Sequence, residues 1–260
     1  AVALEAARAA GETALRRFRV AIAVETKADG TPVTAADRAA ERAARAVIER
    51  HFPADGILGE EDGLVRPDSP RRWIVDPIDG TKSFVRGVPL WGSLVALVER
   101  GHVIAGAAHY AALGESVSAA RGEGCWSGNH RCAVSAVRGL ARATVLTTDV
   151  TFARKPARRE DWWRLADRAA LARSWGDCYG YLLVATGRAE VMVDPVMAPW
   201  DVAAVSVIVE EAGGVFTDWE GHPSGLGTSA IATNRGVAAA ARAALGCRWT
   251  GRRGARARAR

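Results

Sequence analysis

The stretch Trp73-Ile74-Val75-Asp76-Pro77-Ile78-Asp79-Gly80-Thr81-Lys82-Ser83-Phe84 decides how this chain is read. Its apolar start, Trp73 to Val75, predicts a short buried strand. Pro77 then ends regular pairing, and Gly80 permits a tight turn or a close backbone approach. Two carboxylates, Asp76 and Asp79, are thereby held three residues apart on a stiff turn at a strand's end. They repel unless a cation sits between them. Mg²⁺ suits that position, being hard, oxygen-seeking and often held by a few carboxylates plus a substrate phosphate. If a helix begins after the turn, the amides of Gly80 and Thr81 face an anion. Asp-Pro and Asp-Gly are also ordinary turn dipeptides, so D-P-x-D alone admits plain turn chemistry.

Working outward, three more acidic positions stand at predicted element ends. Ile57-Leu58 reads as a strand fragment leading into Gly59-Glu60-Glu61-Asp62-Gly63, which alone looks like a solvated loop. Pro199-Trp200-Asp201 opens a long helix to Ala212, and an acid in a first turn favours the helix dipole. Thr34-Ala35-Ala36-Asp37 opens a helix to about His51, with Thr34 at the N-cap and Asp37 at N3; on this pattern Asp37 is a capping residue.

The remaining periodicity gives an α/β chain in two regions and a tail. Residues 1–138 hold a first helix over 1–19, a strand from Ile22 to Thr26, a turn from Lys27 to Pro32, and a surface connection from Arg66 to Arg72. An antiparallel meander follows over Ser93–Glu99, Val103–His109, Glu115–Ala120 and Gly124–Trp126, with a hairpin turn at Arg100-Gly101-His102. Residues 139–246 alternate: strand Thr144–Thr148, helix Asp161–Arg173, helix Tyr179–Thr186, strand Glu190–Asp194, the helix from Pro199, strands Val215–Asp218 and Ala230–Thr233, and a last helix Val237–Leu245. Residues 247–260 form a basic tail expected to be disordered.

Composition excludes several classes. The chain has 260 residues, 49% hydrophobic and 25% charged, which is ordinary for a globular protein. No apolar run is long enough to cross a bilayer, and the charged N-terminal helix is unlike a signal peptide. The net charge of +6 is accounted for by six arginines after Cys247. The body therefore carries no basic stripe, and neither a specific nucleic-acid partner nor a membrane is expected. Cys125, Cys132, Cys178 and Cys247 are scattered without metal spacing and read as free thiols in a cytoplasmic protein. His51, His102, His109, His130 and His222 pair with nothing at ligand spacing. There is no G-x-S-x-G, P-loop or G-x-G-x-x-G.

Taken together, Glu60-Glu61, Asp76-Pro77-Ile78-Asp79-Gly80-Thr81, Trp200-Asp201 and Glu211-Ala212-Gly213-Gly214 resemble the inositol monophosphatase family of metal-dependent phosphomonoesterases. Within it, the run from Asp79 to Trp91 and Gly176-Asp177-Cys178-Tyr179-Gly180-Tyr181 are most similar to the histidinol-phosphatase branch. Ser83, the run Ala107-Ala108-His109-Tyr110 and the short loop from Glu220 to Thr228 depart from that branch's pattern.

The resemblance implies a layered α-β-α-β-α sandwich and a homodimer. It places metal ligands at Glu60, Asp76, the Ile78 carbonyl, Asp79 and Asp201, for two or three Mg²⁺ ions. It gives Asp37 and Thr81 the orientation of an attacking water, Glu60 a catalytic share, and the Gly80 and Thr81 amides the phosphate. No covalent phosphoenzyme is implied. Asp177 and Asp194 are the substrate residues, expected to meet a cationic end. The expected substrate is L-histidinol phosphate, in histidine biosynthesis, with an inositol or other polyol monophosphate as the alternative. The competing reading of Asp177 is that it caps the helix near Tyr179.

Overall fold

Side-chain alternation along two sheets sorts the chain into five layers. In a computed structural model, which describes residues 1–20, 24–26 and 32–249, the first part runs α1 (Val2–Leu15), β1 (Val24–Thr26), β2 (Pro32–Thr34), α2 (Ala35–His51), β3 (Gly56–Gly59), β4 (Gly63–Val65), β5 (Arg71–Asp79), α3 (Thr81–Val85), β6 (Gly92–Glu99), β7 (His102–Tyr110), β8 (Glu115–Ala120), β9 (Gly124–Ser127) and β10 (His130–Cys132). The rest runs β11 (Thr144–Thr147), α4 (Arg159–Ala166), β12 (Leu171–Arg173), α5 (Asp177–Ala185), β13 (Val191–Asp194), α6 (Pro199–Glu211), β14 (Val215–Thr217), β15 (Ala230–Thr233) and α7 (Ala238–Ala244).

One sheet has eight strands in the order β10-β9-β8-β7-β6-β5-β3-β4 and the other five, β12-β11-β13-β15-β14. Odd residues of β5, Trp73 and Val75, pack with the alanine faces of α1 and α2, whereas Ile74 packs with α5 and α6. In β13, Val191 and Val193 pack with α4 and α7, and Met192 joins Ile74's side. The layers are therefore α1/α2, large sheet, α5/α6, small sheet and α4/α7, the expected α-β-α-β-α sandwich. By the same two-residue period, Asp76 and Asp194 are carried toward the central layer, one from each sheet. That places Asp76 near the end of β5 and Asp194 at the end of β13.

The meander is found as expected, as four antiparallel strands with β10 added at the edge. Its first hairpin turns on Arg100 and Gly101, both at positive φ, the conformation a two-residue turn needs. All four cysteines are free thiols.

Several expectations need correction. Pairing does not end at Pro77: β5 continues to Asp79, with a bulge between the pairs Asp76–Leu94 and Asp79–Gly92. The residues that lose ladder partners find side chains instead. Ser93 Oγ donates to the Pro77 carbonyl at 2.6 Å, and the Ile78 N–H donates to Asp76 Oδ1 at 3.0 Å. The helix expected over Asp161–Arg173 stops at Ala166, and Leu171–Arg173 instead pairs in parallel with Thr144–Leu146. The connection expected to Arg72 gives way to β5 at Arg71. The start of the strand expected at Ile22, most of the Lys27–Pro32 turn and residues 250–260 of the tail lie outside the described residues.

Candidate active site

The bulge in β5 sets the site. It turns the strand so that both Asp76 and Asp79 reach one cleft, and both are buried. Gly80 follows at φ +91°, a left-handed conformation, and α3 starts at Thr81. A β-carbon at Gly80 would stand 3.0 Å from the Leu90 carbonyl, so a side chain there would be crowded as well as strained.

Asp201 arrives from the opposite side, in the first turn of α6. Its Oδ2 accepts from the Ala198 N–H at 2.7 Å, so it sits in the first turn as the sequence suggested and also caps it. It also faces the cleft. One carboxylate oxygen each from Asp76, Asp79 and Asp201 lies within 4.8 Å of the others, and no second such group occurs among the described residues. Glu60 lines the same cleft from the β3–β4 turn, its N–H donating to the Val75 carbonyl at 3.2 Å. The Ile78 carbonyl accepts from Thr81 Oγ1 at 3.0 Å, and Ile78 also lines the cleft.

Burial, then the charges of Glu60, Asp79, Asp201 and Asp37, push the Asp76 carboxyl well above the usual range. Burial, then Asp177 and Asp201, do the same to Asp79, against the N–H of Cys178 that donates to its Oδ1 at 3.1 Å. Such a group of carboxylates is unfavourable without a cation. The donors are all oxygens, and burial gives them little competing solvation, so the set fits a hard divalent ion.

Asp37 stands behind Thr81. Its Oδ2 accepts from the Thr34 N–H and the Thr34 hydroxyl, both at 2.7 Å, while Thr34 Oγ1 accepts from the Ala36 N–H at 3.0 Å. The other oxygen, Oδ1, lies 3.4 Å from Thr81 Oγ1. The capping assignment and the Thr81 contact both hold, one oxygen for each.

Asp177 and Asp194 also line the cleft. Asp194 Oδ1 accepts from the Thr148 N–H at 3.2 Å and Oδ2 from the Tyr181 hydroxyl at 2.9 Å. Burial still pushes its carboxyl up to about 7. Burial and Asp201 raise Asp177 to about 6, against Lys82 and a hydrogen bond from Ser83. Asp177 is itself the first residue of α5, at φ +50°. Its N–H donates to Thr148 Oγ1 at 2.8 Å. Its carboxylate is therefore not the cap of a helix starting at Tyr179.

The cleft is about 350 Å³. Its far wall is a segment the sequence did not single out, Thr148 to Arg154. Asp149 folds this segment by accepting from the N–H groups of Thr151 (2.8 Å) and Ala153 (3.1 Å). Phe152 is buried at φ +52° against Trp162 and Trp219. Asp149 followed by Thr151 is a turn signature that was available in the sequence, but nothing local said that the turn faces Asp177. None of the five histidines lines the cleft.

The sequence profile of the inositol monophosphatase family matches residues 1–251. The chain belongs to the inositol monophosphatase family. Among curated members, the histidinol-phosphatase of Chlorobaculum parvum is 44% identical over 247 residues, covering 94% of this chain and 95% of that protein. The histidinol-phosphatase of Mycobacterium tuberculosis is 41% identical, covering 90% and 92%. Among solved members, the extragenic suppressor protein SuhB of Bartonella henselae superposes with a TM-score of 0.88 at 29% identity, covering 94% of this chain and 96% of that one. A Thermotoga maritima IMPase superposes with a TM-score of 0.84 at 30% identity, covering 93% and 94%. Enzymes of this family use metal ions, and Asp76, Asp79 and Asp201 form the acidic cluster of this family member. Among its described residues no helix is long and apolar enough to cross a membrane.

Proposed function

We propose that this phosphatase hydrolyses L-histidinol phosphate to L-histidinol and phosphate, using Mg²⁺ held by Glu60, Asp76, the Ile78 carbonyl, Asp79 and Asp201. The carrying observation is the pairing, in one cleft, of the acidic trio with two further acids, half-buried Asp177 and buried Asp194. A phosphate monoester dianion needs cations around it, whereas the ammonium and imidazole of histidinol need anions. A cleft that supplies both kinds of seat suits this substrate better than an uncharged polyol. The names of the Chlorobaculum and Mycobacterium relatives support the same choice.

Bound Mg²⁺ supplies charge neutralisation at the phosphoryl oxygens, a more acidic water and stabilisation of the leaving alkoxide. The protein's own groups do the rest. Thr81 Oγ1 sits within reach of both Asp37 Oδ1 and the Ile78 carbonyl. Its proton is thereby committed, and its lone pairs are left to accept from a water aimed in line at phosphorus. The amides of Gly80 and Thr81, at the start of α3, face the phosphate. Asp194, whose oxygens already hold Thr148 and Tyr181, contributes charge at the cleft floor; Asp177, beside Lys82 and Ser83, meets the cationic end. With water as the attacking group, no covalent phosphoenzyme is needed. A homodimer belongs to the same proposal, and light scattering on the purified chain would check it.

The test is phosphate release in Mg²⁺ from L-histidinol phosphate and from myo-inositol 1-phosphate at matched concentrations. A strong preference for the first is expected. Equal rates, or a preference for the inositol ester, would leave the site chemistry standing and remove the substrate assignment.

A further inference from the structure

Behind the turn that carries Glu60 lies a charged pair that the reaction does not touch. Glu41, in the middle of α2, is completely buried. Its Oε2 accepts from the Glu61 N–H at 2.8 Å, and its Oε1 accepts from the Asp62 N–H at 3.1 Å and from Arg45 Nε at 2.8 Å. Arg45, one helical turn on and also buried, donates from its terminal nitrogen to the Gly63 carbonyl at 2.6 Å. The pair therefore holds three successive residues by their backbone, the last two of the β3–β4 turn and the first of β4. Gly59 completes the seat, because a β-carbon there would overlap the Glu41 carboxylate.

A buried ion pair is a poor source of stability, since desolvation offsets most of its attraction. This one is spent on backbone amides immediately after Glu60. On the other side, the Glu60 N–H is fixed to the Val75 carbonyl, one residue before Asp76. Glu60 is thus located between two anchors, one on the strand bearing Asp76 and one on α2, whose first turn bears Asp37. The turn has only three residues, Glu60 to Asp62, before Gly63 at φ +66°. Loss of the Glu41 anchor frees the turn to swing on its remaining strand contacts.

We infer that Glu41, with Arg45, is a positioning residue that sets Glu60 against Asp76 and so tunes the protein's affinity for its metal ions. This rests on Glu60 being a metal ligand, as proposed above. Partners that orient metal ligands in this way typically contribute about 10–100-fold in metal affinity. The experiment is Mg²⁺ binding to the full chain by titration calorimetry, with steady-state kinetics at varied Mg²⁺, for the wild type, Glu41→Gln and Arg45→Lys.

Glu41→Gln keeps an acceptor for one amide but loses the charge that holds Arg45. It should weaken Mg²⁺ binding about tenfold or more and raise the Mg²⁺ concentration for half-maximal rate in parallel. At saturating Mg²⁺ the KM for the phosphate ester should be unchanged and much of kcat recovered. Arg45→Lys, which keeps the charge but not the fork, should show the same change in smaller measure. A purely structural role predicts a lower melting temperature with unaltered Mg²⁺ affinity, and that result overturns the inference. If Glu41→Gln does not fold, Arg45→Lys decides by the same two readouts. If the wild type itself binds no Mg²⁺, it is the parent reading of the site that fails.

Discussion

Asp37 divides two duties between two oxygens, and this division is testable at a single residue. Oδ2 closes the capping box with Thr34, while Oδ1 faces Thr81. Thr81→Val removes the group that aims the water without disturbing the box. It should lower kcat by about 10²-fold or more with little effect on KM. Asp76→Asn removes a carboxyl whose charged form burial and four neighbouring acids disfavour. In metal-free protein it should raise the melting temperature. In Mg²⁺ it should cost about 10³-fold or more in rate, several kcal/mol of metal-assisted stabilisation, and abolish the Mg²⁺-induced thermal shift. Asp177→Asn should raise KM for histidinol phosphate selectively and leave a monoester without a cationic end unaffected. An equal change for both substrates would reassign Asp177 to general site structure.

At the scale of the element, the sequence was most informative where a cap or a turn residue is obligatory. Thr34, Asp37 and Pro199 marked the starts of α2 and α6 because each satisfies or pre-sets a helix terminus. Thr34→Ala should cost about 1 kcal/mol in denaturant melts, as for other N-caps, and also lower kcat, because Asp37 loses the hydroxyl that helps fix it and keeps only the backbone N–H. Two elements were misread for one physical reason, since local propensity was overruled by a partner distant in sequence. The Pro77 bulge survives as strand because Ser93 supplies a donor to its carbonyl. The stretch after Ala166 leaves the helix because the N–H groups of Ala170 and Leu171 both find the Ala143 carbonyl, and Leu171–Arg173 then add to β11. The i, i+4 pair of Glu41 and Arg45 was visible in the sequence on an otherwise alanine-rich buried stripe. Its meaning depended on Glu61 and Asp62, which the sequence places twenty residues away.

For the whole molecule, the buried acids of the cleft make stability depend on pH and metal together. Asp177 and Asp194 titrate at about 6 and about 7 in the folded, metal-free chain, against 3.8 for the ordinary side chain. Acids raised on folding stabilise the fold while protonated, and that contribution is lost as pH rises through the folded values. The metal-free melting temperature should therefore fall between about pH 4 and about pH 7 by the share these groups carry. Asp194→Asn should flatten the curve, and added Mg²⁺ should offset the loss. A steeper fall in Asp194→Asn would assign the dependence elsewhere. On the far side of the small sheet, buried Arg242 donates to Thr217, Thr233 and the carbonyls of Ala238, Val215 and Ile231, and lies 4.9 Å from the ring centre of Trp249. Arg242→Ala leaves those acceptors buried and unpaired and should cost about 2–4 kcal/mol without altering KM.

The sequence by itself determined the α/β class, the meander, most element boundaries, the family, and the acids that meet in the cleft. These are properties of residue type and short spacing: strand and helix periods, caps, turns, and carboxylates set on a proline-stiffened turn. Only the tertiary structure decided which groups face one another. The bulge that turns Asp79 into the cleft, the Thr148–Arg154 wall, the release of Asp177 from a capping role and the anchoring of the Glu60 turn by Glu41 all depend on contacts between segments far apart in the chain. Such contacts are fixed by how the layers pack, and packing leaves no local signature in the residues that it brings together.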